Sequence, residues 1–124
     1  MGDACAITHG DQVRWWASES RREGFACLLV GDPPVGYGML RRRADGRRWV
    51  SLVVDPGSRG RGIGSEIYRA LARIASPDER IYAGIRRDNV RSIAAATRAG
   101  YAVDDVVLAP APDPGAWIVM RGSR

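Results

Sequence analysis

The sequence predicts an α+β domain: a mixed, mostly antiparallel sheet with a central parallel pair, flanked by helices. Three observations lead there. Short apolar runs separated by Gly, Pro and Asp clusters fill the first half of the chain, as strands joined by tight turns do. The middle alternates strand, glycine-rich loop, helix, strand and helix, and such a crossover makes its two strands parallel neighbours. The chain has 124 residues, enough for one hydrophobic core but not two, so residues 1–124 are expected to form a single domain.

Taken in order, residues 11–22 place Val13, Trp16 and Ala17 on one face at helical spacing, with Thr8 or Asp11 as cap, and predict a first helix. Residues 25–30 are an apolar strand closed by Gly31-Asp32-Pro33-Pro34. Residues 35–42 and 48–54 are two more strands around an Asp45-Gly46 turn, completing a three-stranded antiparallel meander. Asp55-Pro56-Gly57 ends the third strand. A helix follows the glycine-rich stretch, with Ile63, Ile67, Ala70, Leu71 and Ile74 as its apolar stripe, and Ser76-Pro77-Asp78 stops it. Residues 80–86 alternate as a strand with Ile81, Ala83 and Ile85 inward. Residues 90–99 form a helix with Val90, Ile93, Ala94 and Thr97 on one face and Gly100 as its stop. Strands at 102–108 and 116–121 close the chain, separated by a proline-rich loop at 109–115. The expected order is α-βββ-α-β-α-ββ.

Composition narrows the function classes. Apolar residues make up 45% and charged residues 27%, an ordinary globular balance. No apolar run approaches the roughly 20 residues needed to cross a bilayer. The N-terminal Met1-Gly2-Asp3-Ala4-Cys5 lacks the layout of a secretory signal, and Ala6 stands where a myristoylation motif needs Ser or Thr. A cytoplasmic location is expected. Cys5 and Cys27 are too few for a disulfide framework, and with His9 as the single histidine no metal cluster forms. Cys27, inside an apolar strand, is expected to be a buried core thiol. The net charge is +5 and all 19 basic residues are arginine, which favours anionic partners.

The informative segment runs Val53-Val54-Asp55-Pro56-Gly57-Ser58-Arg59-Gly60-Arg61-Gly62-Ile63-Gly64-Ser65. A strand, a tight loop and a helix N-terminus occur in that order. The first helical turn carries unpaired N–H groups and partial positive charge, and attracts phosphate. Gly60, Gly62 and Gly64 remove side chains that would hold a phosphate away, while Arg59 and Arg61 add charge. The glycine spacing does not fit the dinucleotide fingerprint, and no Gly-Lys-Ser/Thr follows for a P-loop.

At Arg59, Gly62 and Gly64 the sequence resembles the Gcn5-related N-acetyltransferase (GNAT) family, whose signature is Arg or Gln, two residues, Gly, one residue, Gly or Ala. A second stretch, Asn89, Ser92, Arg98, Gly100 and Tyr101, resembles the family's Asn-x-x-Ala/Ser…Gly-Phe/Tyr helix. The resemblance implies the GNAT fold and direct transfer of an acetyl group from acetyl-coenzyme A to an amine of a small molecule or protein. It implies that Leu52, Val53 and Val54 hold the pantetheine arm through their backbone. N–H groups across Arg59, Gly60, Arg61, Gly62, Ile63, Gly64 and Ser65 would hold the pyrophosphate, and Asn89 and Ser92 would lie beside the cofactor. Within that frame residues 35–121 are the core and 1–24 an abbreviated substrate-side region, with Ala4 to Thr8 a stub of the family's first strand.

The resemblance also marks departures. Many members carry a tyrosine seven residues after the motif asparagine, where Ala96 stands. No glutamate occurs on the strand 48–54, which leaves Ser51 and Tyr37 as the candidate catalytic side chains. Trp15 and Trp16 are adjacent and point different ways; the exposed one would rim the acceptor cleft or form a homodimer contact. Two functions stand beside the enzyme: a non-catalytic acyl-CoA-binding module, and nucleic-acid binding through Arg41, Arg42, Arg43, Arg47, Arg48, Arg86 and Arg87, the less favoured for want of interleaved aromatics.

Overall fold

In the computed structural model, which describes residues 4–9, 13–20, 25–31, 34–75, 78–106 and 113–123, eight strands form one sheet. The strands are β1 (Ala4–His9), β2 (Val13–Ser20), β3 (Phe25–Val30), β4 (Gly36–Arg42), β5 (Arg48–Val54), β6 (Arg80–Arg86), β7 (Ala102–Asp104) and β8 (Trp117–Ser123). Helix α1 spans Ile63–Ile74 and α2 spans Val90–Arg98. The sheet order is β1-β2-β3-β4-β5-β6-β8-β7, antiparallel throughout except for β5 and β6. This is the mixed sheet with a central parallel pair that the sequence predicts.

The first helix is the main correction. Residues 13–20 form a strand that pairs with β1 from His9↔Val13 to Ala4↔Ser18 and with β3 from Trp15↔Val30 to Ser20↔Phe25. The meander therefore has five strands. The spacing of Val13, Trp16 and Ala17 is helical, but Val, Trp and Ser on both sides suit a strand at least as well. What decides is non-local: β3 would otherwise present an unpaired edge, and an eight-residue β2 satisfies its backbone groups.

Alternation sets two faces. Ala26, Leu28, Val30, Leu40, Val50, Ile81, Ala83 and Ile85 pack under the helices with Ile67 and Leu71. On the other face Trp49, Tyr82 and Val119 form a smaller cluster, with Trp49 and Tyr82 ring centroids 5.6 Å apart. Cys27 is only half-buried and lies on this second face opposite Met39, not in the main core, because Ala26 and Leu28 take the inward positions.

Helix α1 can lie close to the sheet because β4 presents Gly36 and Gly38 beneath it. A Cβ on Gly38 would stand 2.5 Å from Ile67 Cγ2 and 3.0 Å from Leu71 Cδ1. Gly38→Ala is therefore expected to destabilise the fold by about 1–3 kcal/mol, read as a lower urea midpoint at unchanged slope.

Helix α2 also differs from expectation. Val90 is 69% exposed, and Ala94 and Thr97 are exposed too. Of the expected face only Ile93 packs against the core; the most buried side is the small one, with Ala96 fully buried and Ala95 and Ala99 packed against the core. Small residues let α2 approach α1 closely, and Tyr101, just past Gly100, fills the space beyond. The Tyr101 hydroxyl donates to the Tyr68 carbonyl at 2.7 Å, and the two rings meet edge-on at 5.0 Å.

Residues 107–112 and Ser76 and Pro77 lie outside the described residues, so the expected strand at 102–108 is seen only as Ala102–Asp104. The last strand begins after a 3-10 turn at Pro114–Ala116.

Candidate functional site: a split between parallel strands and an uncapped helix

Strands β5 and β6 pair only from Arg48↔Ile81 to Val50↔Ala83. Beyond Val50, β5 stays with β4 as far as Val54↔Gly36, and β6 stays with β8 as far as Arg86↔Trp117. The parallel pair thus opens, and the backbone groups of residues 51–54 that would have met β6 face a gap. Asp55 N–H donates to the Val35 carbonyl at 2.7 Å, and a 3-10 turn at Pro56–Ser58 carries the chain from the strand into the glycine-rich loop.

Arg59 is extended, Gly60 has φ +85 and Gly62 has φ +77, so the chain reverses through two left-handed residues into α1. Gly62 is the N-cap and offers no side chain to cap the helix. The first amide to find a carbonyl within the helix is that of Glu66, which donates to Gly62 at 3.1 Å. The N–H groups of Ile63, Gly64 and Ser65 are those a helix start leaves for an outside acceptor. Ser65 is 4% exposed, and its hydroxyl has no hydrogen-bond partner among the described residues.

Two connected clefts flank this loop. The first, about 370 Å³, is lined by Leu52, Val53 and Val54 on one wall and by Tyr68, Asn89 and Ser92 on the other, with Ile63 and Gly64 between. The second, about 410 Å³, lies outside the first turn of α1 and is lined by Gly62, Ser65, Ala94 and Arg98. Arg59, Gly60, Arg91 and Ala95 belong to both.

All but one of the residues that the resemblance assigns to the cofactor line one of these clefts; Arg61 is exposed beside them. Gly64 lines the first cleft and also lies against α2, where a Cβ would stand 3.4 Å from Ala95 Cβ. Asn89 caps α2, its side-chain oxygen accepting from the Ser92 amide at 3.2 Å, which leaves the Asn89 NH₂ for the cleft. Ser51 and Tyr37 line neither cleft. They lie on the second sheet face, Tyr37 directly across from Val53 in the ladder and 38% exposed.

Arg98 belongs to the second of the sequence motifs, whereas Arg91 and Tyr68 escape both. Arg91 and Arg98 join Arg59 around the second cleft, and among the described residues none of the three side chains has an ion pair or hydrogen bond. Tyr68, on α1, lines the first cleft with its hydroxyl 2.7 Å from Ser92 Oγ. Burial raises the Tyr68 pKa above the ordinary tyrosine value, with the Ser92 hydrogen bond opposing the shift.

The arginines of the nucleic-acid reading behave differently. Arg42 donates to Gly46 and meets Glu79, Arg48 pairs with Glu79 at 3.0 Å, Arg43 lies over Trp49, and Arg47 lies over Tyr82. Arg86 lies over Trp117 and Arg87 donates to the Gly115 carbonyl. These six guanidinium groups are engaged within the hairpin and the sheet, while Arg41 is exposed and its side chain has no hydrogen bond or ion pair among the described residues.

The match to known proteins agrees with this geometry. The model of the GNAT acetyltransferase family matches residues 3–101. No curated protein matches the chain in sequence. Among solved structures, the aminoglycoside acetyltransferase AAC(6')-Ib in complex with paromomycin and acetyl-CoA is 21% identical with a TM-score of 0.64, over 82% of this chain and 66% of that one. The GNAT domain of S. lividans PAT is 17% identical at 0.65, over 83% and 62%. The ribosomal-protein-S5-alanine acetyltransferase of Vibrio fischeri is 17% identical at 0.64, over 81% and 62%. The chain thus spans about two thirds of the length of these proteins. The split parallel pair and the glycine-rich helix start lie side by side on one mixed sheet. The chain belongs to the GNAT acetyltransferase family.

Proposed function

We propose that the protein is an N-acetyltransferase that binds acetyl-CoA across the two clefts and passes its acetyl group directly to an amine. The observation that carries this reading is the uncapped first turn of α1 facing Arg59, Arg91 and Arg98, none of which has an acidic partner among the described residues. A pyrophosphate satisfies both the free N–H groups and the arginines, and the partnerless Ser65 hydroxyl adds a donor on the same side. From there the pantetheine arm would enter the gap beside β5 and pair with the backbone of Leu52, Val53 and Val54, as an added strand does.

The chemistry asked of the chain is positioning and polarisation. A backbone N–H near Val53 would stabilise the oxyanion as the amine nitrogen attacks the thioester carbon. The C–N bond forms, the C–S bond breaks, and the ammonium proton leaves to water. Coenzyme A supplies the activated acyl group. Residues 1–124 act as one domain in this reading, with 35–121 as the CoA-binding core and the N-terminal hairpin bordering the acceptor side. Of the similar solved structures, one is an aminoglycoside acetyltransferase and another a ribosomal-protein-S5-alanine acetyltransferase; for this chain we take the acceptor class as an amine.

Calorimetric titration with acetyl-CoA, followed by thiol release against a panel of polyamines, aminoglycosides, amino acids and peptides, tests the proposal. Micromolar binding with release for at least one amine is expected. Binding without release for any amine would instead favour a non-catalytic acyl-CoA module, the reading to which Ala96 lends weight.

A further inference from the structure

Position 96, where the resemblance places a tyrosine, holds a fully buried alanine. The first cleft nevertheless contains a phenol. Tyr68 reaches it from α1, and its hydroxyl meets Ser92 Oγ at 2.7 Å, one helical turn before Ala96. Among the described residues, and apart from Ser58, which precedes Arg59 in the loop, Tyr68 and Ser92 supply the only hydroxyl groups lining that cleft.

The pair is held from three sides. Tyr101 donates its hydroxyl to the Tyr68 carbonyl and packs edge-on against its ring. The Ser92 amide is fixed by the Asn89 cap. The Tyr68 side chain is buried in the core, and the residue forms part of the cleft wall.

We propose that the Tyr68–Ser92 hydroxyl pair hydrogen-bonds the leaving sulfur of the acyl-CoA, in place of the tyrosine absent from position 96. Either hydroxyl can donate at this distance; in the proposed arrangement Tyr68 donates to Ser92 Oγ. Ser92 then has its own hydrogen free for the cleft, and donates it to the sulfur as the C–S bond breaks and the electron pair passes to sulfur. No net ionisation of either hydroxyl is needed, because the thiolate takes its final proton from water. Ser92 is the catalytic residue in this arrangement, and Tyr68 is the positioning residue that sets the direction of the serine O–H.

The inference rests on the transfer reading above, and one set of measurements separates the two. With the amine that gives thiol release, Ser92→Ala and Tyr68→Phe are each expected to lower kcat about tenfold, the size of one neutral hydrogen bond. Affinity for CoA should stay within about twofold, and the double variant should be no slower than Ser92→Ala alone, because the two hydroxyls act as one unit. A merely structural role would lower the unfolding temperature and CoA affinity together while leaving the pair additive. Wild-type kcat in Ser92→Ala, or a raised KM for acetyl-CoA at unchanged kcat, overturns the proposal; the second result would assign the pair to the pantetheine arm. Ser92 is half-buried, so its alanine variant carries the test even if Tyr68→Phe fails to fold. A wild-type protein that binds CoA but releases no thiol overturns this inference together with transfer, whereas active wild type with indifferent variants overturns this inference alone.

Discussion

Gly62→Val is expected to abolish detectable CoA binding while the protein remains folded. Gly62 holds φ +77 at the N-cap of α1, a conformation that a β-branched L-residue adopts only under strain. Nothing lies within 4 Å of where its Cβ would stand, so the new side chain projects into open space beside the free amides of the first turn. Valine there both twists the loop and covers the donors. The strain costs about 1–3 kcal/mol and is confined to a surface loop, so cooperative unfolding should persist. Gly46→Val is the control: Gly46 has φ +81 in the β4–β5 turn and is equally open, so it should lose similar stability yet keep its CoA affinity. Calorimetry and thermal unfolding on both variants separate loop strain from a blocked site. Wild-type affinity in Gly62→Val would move the pyrophosphate elsewhere.

That glycine was legible in the sequence because everything it does is local. Strand, loop and helix start are adjacent, and the physics of a helix end needs no distant partner. Helix α1 was legible for the same reason, its stripe of Ile63, Ile67, Leu71 and Ile74 fixing the buried side. The N-terminal hairpin was not, because residues 13–20 have a helical spacing and become a strand only through the edges of β1 and β3. Tyr68 was missed since its hydroxyl partner lies 24 residues away. A signal was nevertheless present. Gly64, Tyr68 and Ala72 form a second flank on α1, four residues apart, and small residues at 95, 96 and 99 form the matching face on α2. Two small-residue faces with one large polar-tipped side chain between them mark a close helix pair with a hydroxyl aimed at its edge. The apolar stripe read along α2 hid this: of its members Ile93 packs against the core, while Val90 is 69% exposed.

Charge at the second cleft gives the other large effect. Arg59→Glu is expected to weaken CoA binding more than 100-fold, and Arg91→Gln and Arg98→Gln about 10-fold or more each. Losing one charge-assisted hydrogen bond costs about 1.5–3 kcal/mol, and reversing the charge adds repulsion. These arginines are exposed, so raising the salt concentration should shrink all three losses, whereas Gly62→Val, which acts by geometry, should stay as defective as before. Pantetheine, which lacks the phosphates, should bind the wild type and the arginine variants equally weakly. Arg47→Gln is the control, since its guanidinium lies over Tyr82 beside Asp45 rather than at either cleft, and its CoA affinity should match the wild type. If Arg47→Gln and Arg91→Gln weaken binding alike, the effect is that of net charge on a protein of +5 rather than of a site. Unequal losses that disappear with pantetheine instead tie the arginines to the phosphate end of the ligand, because only groups within reach of a phosphate distinguish a ligand that carries one from a ligand that does not.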